Sequence, residues 1–322
     1  MIALLAPGQG AQAPGMLTPW LELEGAQDRI AAWSVTAGLD LRRLGTTADA
    51  GEIQDTAVTQ PLIVALSLLA AEHLLRRLDL PTSIAAAPVA GHSVGELSAS
   101  AIAGVLTTDE AVALATVRGR EMAAACALAP TGMSAVLGGD RDELTATLAQ
   151  LGLDAANHNA TGQIVAAGPI EALAVLAKHK PARTRVIPLP VAGAFHTHFM
   201  APAERALAQY AAQLTAMNPT RPLLSNADGQ VVSEGAEMLD RLVAQVTKPV
   251  RWDSCMATLH ALHVTATIEL PPAGTLSGLV KRDMKGTVTL ALKTPEDLDK
   301  VADLIADHSS DVSRANCSGI YA

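Results

Sequence analysis

The chain has 322 residues, 49% apolar and 17% charged, with a formal net charge of −9 at pH 7. That length is enough to bury a sizeable core in one large domain or two modest ones, and the composition is too apolar for a disordered chain. The acidic balance and the few aromatics, three Trp, two Phe and two Tyr, exclude nucleic acid as a main partner, because phosphate binding needs a basic surface and single strands need stacking platforms. The uncharged stretches 1–21, 122–139 and 186–203 are each broken by Pro or Gly, so no membrane span is expected. The N-terminus shows neither a basic n-region nor a cleavage site, so no secretory signal is expected. Cys126, Cys255 and Cys317 form no CxxC pair, which fits a reducing, cytoplasmic setting.

Met1 to Ala6 is a short apolar run stopped by Pro7-Gly8-Gln9-Gly10-Ala11-Gln12, the pattern of a buried strand feeding a glycine-rich turn. Ile63, Leu66, Leu69, Leu74 and Leu75 recur at helical spacing and predict a helix over 60–80, ended by Pro81. Pro88-Val89-Ala90 predicts a short buried strand running into Gly91-His92-Ser93-Val94-Gly95. Thr107 with Glu110 three residues later is a capping box, and the helix behind it continues past Met122. Between 132 and 190, strands over 134–137, 154–157, 163–167 and 183–189 alternate with helices over 140–151 and 170–180. That βαββαβ order is the ferredoxin-like unit. It reads as a small subdomain, 132–190, inserted into a larger α/β subdomain made of 1–131 and 191–308. Later segments predict a helix over 239–246, a strand over 265–270 and a last helix capped by Thr294-Pro295. Residues 309–322 are small and polar, and a disordered tail is expected there.

Gly91-His92-Ser93-Val94-Gly95 matches the G-x-S-x-G nucleophile elbow, in which small neighbours let a strained strand-to-helix turn present the serine oxygen. The helix behind it offers free N–H groups and a dipole to a developing oxyanion, with the N–H after the serine a natural donor. A serine nucleophile needs a base, and His196 or His198, in an uncharged stretch, is the candidate. An H-x-H metal pair is weaker, because no carboxylate or cysteine lies within ten residues upstream or five downstream. No Asp flanks the stretch, so the third member of a triad is not identified. Arg118 interrupts an apolar helical strip of Ala111, Leu114, Met122 and Ala125, and a desolvated arginine needs an anion. Either an internal carboxylate or a ligand would supply one.

These residues together resemble the malonyl-CoA:acyl carrier protein transacylases of fatty acid and polyketide synthesis. The resemblance runs from about residue 3 to about 283. It rests on Pro7-Gly8-Gln9-Gly10-Ala11-Gln12, Thr59-Gln60-Pro61, Gly91-His92-Ser93-Val94-Gly95-Glu96, Val117-Arg118-Gly119 with Met122, Ala194-Phe195-His196, and Gln245-Val246-Thr247-Lys248-Pro249-Val250-Arg251-Trp252. It implies an α/β-hydrolase-like large subdomain with a parallel sheet, carrying the inserted ferredoxin-like unit. Ser93 then looks like the acyl-accepting nucleophile and His196 like its base, while His198 falls where the family has no catalytic residue. The backbone N–H groups of Gln9 and Val94 would form the oxyanion hole, Arg118 would pair with the malonyl carboxylate, and the main-chain carbonyl of Gln245 would orient the histidine. Phe195, directly before the histidine, goes with malonyl rather than methylmalonyl in related polyketide acyltransferases. Pro271-Pro272-Ala273-Gly274 replaces the family's usual Gly-Pro-Gly, so a different loop is expected there. The resemblance implies coenzyme A thioester and acyl carrier protein as partners, no metal or redox cofactor, and a cytoplasmic protein, read as a monomer. Two rivals share parts of the pattern: a serine hydrolase, which uses the same elbow and chain order, and a non-enzymatic docking module.

Overall fold

Ten strands and twelve α-helices make up the described residues, 1–77 and 86–317, of the computed structural model. The strands are β1 (Ile2–Ala6), β2 (Val89–Gly91), β3 (Thr131–Gly138), β4 (Asp154–Ala160), β5 (Gln163–Pro169), β6 (Thr184–Pro188), β7 (Leu223–Leu224), β8 (Val231–Val232), β9 (Ala266–Glu269) and β10 (Val288–Ala291). The helices are α1 (Ala26–Ala37), α2 (Leu41–Thr46), α3 (Thr56–Arg77), α4 (Gly95–Ile102), α5 (Thr108–Cys126), α6 (Arg141–Gln150), α7 (Ile170–Lys178), α8 (Ala201–Ala211), α9 (Gly235–Ala244), α10 (Trp252–Ala261), α11 (Thr275–Asp283) and α12 (Asp297–Cys317).

The larger sheet has the order β10-β9-β1-β2-β7-β8. Its first five strands run parallel and β8 returns antiparallel at the edge. β1, β2 and β9 are buried along their whole length, because helices cover both faces of a parallel sheet. This explains why β1 reads as an uninterrupted apolar run rather than an alternating one. β2 sits beside β1 in the middle of the sheet, so the turn after it opens at the carboxyl end of central strands, the usual place for a site in such folds.

The second sheet is antiparallel, with the order β4-β5-β3-β6, and α6 and α7 connect its strands in βαββαβ sequence. Val136, Leu144, Leu148, Ile164 and Leu176 form its own apolar core. Val250 stitches the two bodies together: its N–H donates to the Ala156 carbonyl at 2.9 Å and its carbonyl accepts from His158 at 2.8 Å.

Several expected boundaries move. α3 starts at Thr56 rather than 60, because the Asp55 carboxylate caps it by accepting the Ala57 N–H at 2.9 Å, which leaves Pro61 inside the helix. The expected stop at Pro81 lies outside the described residues. α3 is long and apolar enough to cross a membrane, but 78% of its most apolar window is buried within the fold. α9 starts at Gly235 rather than 239, since Asn218 Oδ1 accepts the Gly235 N–H at 2.9 Å, and a Cβ there would meet the Met217 carbonyl at 2.1 Å. α12 runs from Asp297 to Cys317, over part of the stretch 309–322 for which a disordered tail is expected; no Gly or Pro interrupts 297–317, and Leu298, Val301 and Ile305 anchor its start in the core. Residues 318–322 lie outside the described residues. Cys126 and Cys255 carry free thiols.

Candidate active site

Ser93 lies in the turn between β2 and α4 with φ 53°, a left-handed conformation that non-glycine residues seldom adopt. The turn is this tight because its flanks are bare backbone. A Cβ on Gly91 would lie 2.1 Å from the Gly95 carbonyl, and one on Gly95 would lie 2.3 Å from the Ala6 carbonyl. These clashes account for both glycines of the G-x-S-x-G pattern. The Asn226 side chain ties the turn down, its Oδ1 accepting the Ser93 N–H at 2.8 Å and its Nδ2 donating to the Gly91 carbonyl at 2.8 Å.

His196 Nε2 lies 2.8 Å from Ser93 Oγ, and its Nδ1 lies 2.7 Å from the Gln245 carbonyl. A carbonyl only accepts, so Nδ1 carries the proton and Nε2 presents its lone pair to the serine hydroxyl. Gln245 caps the end of α9, so its carbonyl takes no further α-helical bond and accepts His196 Nδ1 alongside the Lys248 N–H at 3.2 Å. The missing acidic member of a triad is thus replaced by main chain. Burial, and after it the Arg118 charge, bring His196 down to about 3, so the ring is neutral at physiological pH. His198 is exposed instead, 3.5 Å from the Asp154 carboxylate and tilted against Phe199, and does not line the site.

Arg118 is 2% exposed, and its strip neighbours Ala111, Leu114, Met122 and Ala125 are buried with it. Its Nη1 donates to Gln60 Oε1 at 2.7 Å, and its Nη2 to Gln245 Oε1 at 2.9 Å and to Ser93 Oγ at 3.3 Å. The nearest carboxylate in this network is Glu96, one amide further away. Gln245 Nε2 donates to Glu96 Oε2, and Asn226 N–H donates to Glu96 Oε1 at 2.5 Å. Burial pushes the Glu96 carboxyl up to about 8, although the Asn226 N–H and the Arg118 charge act in the opposite direction. Burial brings Arg118 down to about 10, which leaves it charged at neutral pH.

Gln9, Ser93, Arg118, Phe195 and His196 all line one cavity of about 160 Å³ between the two subdomains, and Asn157, Asn159 and Gln163 of the smaller one complete its wall. Val94 and Gln245 stand behind that wall, acting on it only through main chain or through neighbours. Among the described residues, the N–H groups of Gln9 and Val94 have no protein acceptor. His92 is held by Asn159 Oδ1 at 2.8 Å from its Nε2 and packs edge-on against Trp252. Sequence reasoning assigned no role to Gln60, Glu96, Asn226 or Asn159. Gln60 and Glu96 stood inside quoted motifs, whereas Asn226, in the short connection between β7 and β8, carries no signal that separates it from a turn asparagine.

A family model described as acyl transferase domain matches residues 4–315. A Mycobacterium tuberculosis protein named malonyl CoA-acyl carrier protein transacylase is 60% identical over 304 residues, 94% of this chain and 100% of its own length. The Escherichia coli K12 protein of the same name is 32% identical over 300 residues, 91% of this chain and 96% of its own. The crystal structure of MCAT from Mycobacterium tuberculosis superposes with a TM-score of 0.90 at 59% identity, covering 94% of this chain and 99% of that one. With a serine–histidine pair whose histidine is buried, a buried arginine beside it and this likeness over nearly the whole length, the chain belongs to the acyl transferase domain family, among its malonyl CoA-acyl carrier protein transacylases.

Proposed function

We propose that this protein transfers the malonyl group of malonyl-CoA to the phosphopantetheine thiol of an acyl carrier protein through a malonyl ester on Ser93. The observation that carries the reading is Arg118, a charged, buried guanidinium placed 3.3 Å from the nucleophilic oxygen, where an acyl group ending in a carboxylate would meet it. His196 Nε2 takes the Ser93 proton as Oγ attacks the thioester carbon, and the oxyanion forms against the free N–H groups of Gln9 and Val94. The C–S bond then breaks, coenzyme A leaves with the proton from His196, and the carrier thiol reverses the sequence. One thioester becomes an ester and then another thioester, with no change of oxidation state, so the proposal includes no metal or redox cofactor. Phe195 closes the apolar side of the cavity beside the malonyl methylene. We take the working form to be a monomer in the cytoplasm. Steady-state transfer should be ping-pong, with parallel double-reciprocal lines as carrier concentration is varied. Intersecting lines would instead require both substrates bound at once and remove the covalent intermediate.

The acid limb of the pH profile tests the base. A general base works when unprotonated, that is above its pKa, so a histidine held down at about 3 stays competent far into acid. Expected is a kcat/KM for malonyl-CoA whose acid limb lies well below the ordinary histidine value of about 6.5. The free enzyme is the relevant species, because a bound malonyl carboxylate would neutralise Arg118 and let His196 rise. A limb at the ordinary histidine value would mean that the base is not the buried His196.

The carrier is expected to be acidic while this chain carries −9 overall, so docking needs a local basic patch. Lys178, Lys180, Arg183 and Arg185 form one exposed group, and Lys281 with Arg282 another. The second is at the end of α11, whose Thr275, Leu276 and Leu279 line the cavity, and Arg282 bonds the cavity residue Gln163. Charge reversal at Lys281 and Arg282 should raise KM for carrier on the order of tenfold with acylation by malonyl-CoA unchanged. Unchanged KM in mutants of both groups would remove a basic docking surface.

A further inference from the structure

Ser93, His196 and Arg118 reach the cavity, but Glu96, which is 1% exposed in the first turn of α4, does not line it. Its two oxygens nevertheless hold the two residues on which the others depend. One accepts from the Asn226 main chain at 2.5 Å, and the Asn226 side chain holds the Ser93 N–H at 2.8 Å. The other accepts from the Gln245 side-chain amide, whose oxygen takes the Arg118 Nη2 bond at 2.9 Å. The direction of that amide is forced, because a guanidinium only donates and a carboxylate bonded by two N–H groups only accepts. Glu96 and Arg118 therefore lie on opposite sides of one amide rather than in direct contact, with both Glu96 oxygens turned to N–H donors.

The spacing has a chemical consequence. A carboxylate touching Arg118 would compete with the carboxylate of an incoming acyl group, whereas an amide oxygen held in place from behind accepts one guanidinium N–H without neutralising the charge. We propose that Glu96 is a positioning residue for the acyl carboxylate, setting Arg118 through the Gln245 side chain while leaving the outer face of the guanidinium open. This deepens the reading of Arg118 given above and rests on it.

The test separates KM for malonyl-CoA from the rate at which a neutral fluorophosphonate labels Ser93, which reports the serine and histidine alone. In Glu96→Gln the new side-chain oxygen still accepts the Asn226 N–H, so the Ser93 turn is kept, but its NH2 faces the NH2 of Gln245 and the amide must turn away from Arg118. KM is expected to rise about tenfold or more while labelling stays within about twofold. Gln245→Met cuts the same link with Glu96 in place and should raise KM similarly, and Glu96→Gln added to it should raise KM no further. Unchanged KM, equal loss of KM and labelling, or additive effects of the two substitutions would each overturn the proposal. Arg118→Ala in the same assay sorts the failures. If it raises KM and Glu96→Gln does not, only the role of Glu96 falls, and if it leaves KM unchanged, both readings fall.

Discussion

Ser93→Ala should form no acyl-enzyme and lose transfer by a factor on the order of 10^6, the effect of removing a serine nucleophile. His196→Ala should still bind malonyl-CoA but acylate more slowly by about 10^2 to 10^4, the usual worth of a general base. His198→Ala, which removes only an exposed ring near Asp154, should retain most activity. The three variants, assayed for burst release of coenzyme A, check one geometric claim: the 2.8 Å contact to Ser93 belongs to His196. Comparable damage from losing His198 would refute that assignment.

Arg118→Ala should lose malonyl transfer steeply while acetyl transfer falls little or rises. A buried guanidinium paired with the substrate carboxylate loses its partner when acetyl binds, at a cost of about 3 to 5 kcal/mol, or a selectivity factor above about a hundred. Without the charge, the cavity no longer penalises an acyl group that brings no anion. Arg118→Lys should restore little, because a single ammonium cannot bond Gln60 and Gln245 and still meet a carboxylate with two parallel donors. The measurement is kcat/KM for malonyl-CoA and acetyl-CoA side by side, with circular dichroism to show that each variant is folded. Equal loss for both substrates would make Arg118 a structural residue.

Features that depend on local pattern were legible in the sequence. The Thr107–Glu110 capping box is present as read, with both reciprocal bonds, and the βαββαβ rhythm over 132–190 corresponds to one antiparallel sheet. Arg118 was legible because a charge on an apolar strip is an anomaly that only a buried partner explains. Helices α1, α2, α8, α10 and α11 were not identified, and α3 and α9 began earlier than their apolar spacing indicated, because Asp55 and Asn218 extend them through polar caps. Within the site, the illegible parts are those made by main chain or by tertiary proximity. Gln245 orients His196 through a carbonyl that every residue possesses, so only the family resemblance, not residue chemistry, pointed to it. Glu96 looks from sequence like an ordinary acidic residue in a first helical turn, and only the fold brings Asn226 and Gln245, 130 and 149 residues away, onto its two oxygens.

Transfer through a malonyl ester on Ser93 is tested most directly by intact-protein mass spectrometry during a chase. The protein is mixed with malonyl-CoA, freed of excess substrate, and then offered phosphopantetheinylated carrier protein. Expected is a mass increase of one malonyl group on the wild type, located on the peptide containing Ser93, absent from Ser93→Ala, and lost as the same group appears on the carrier. Release of free malonate with no adduct and no malonyl-carrier would contradict the assignment and make the protein a hydrolase.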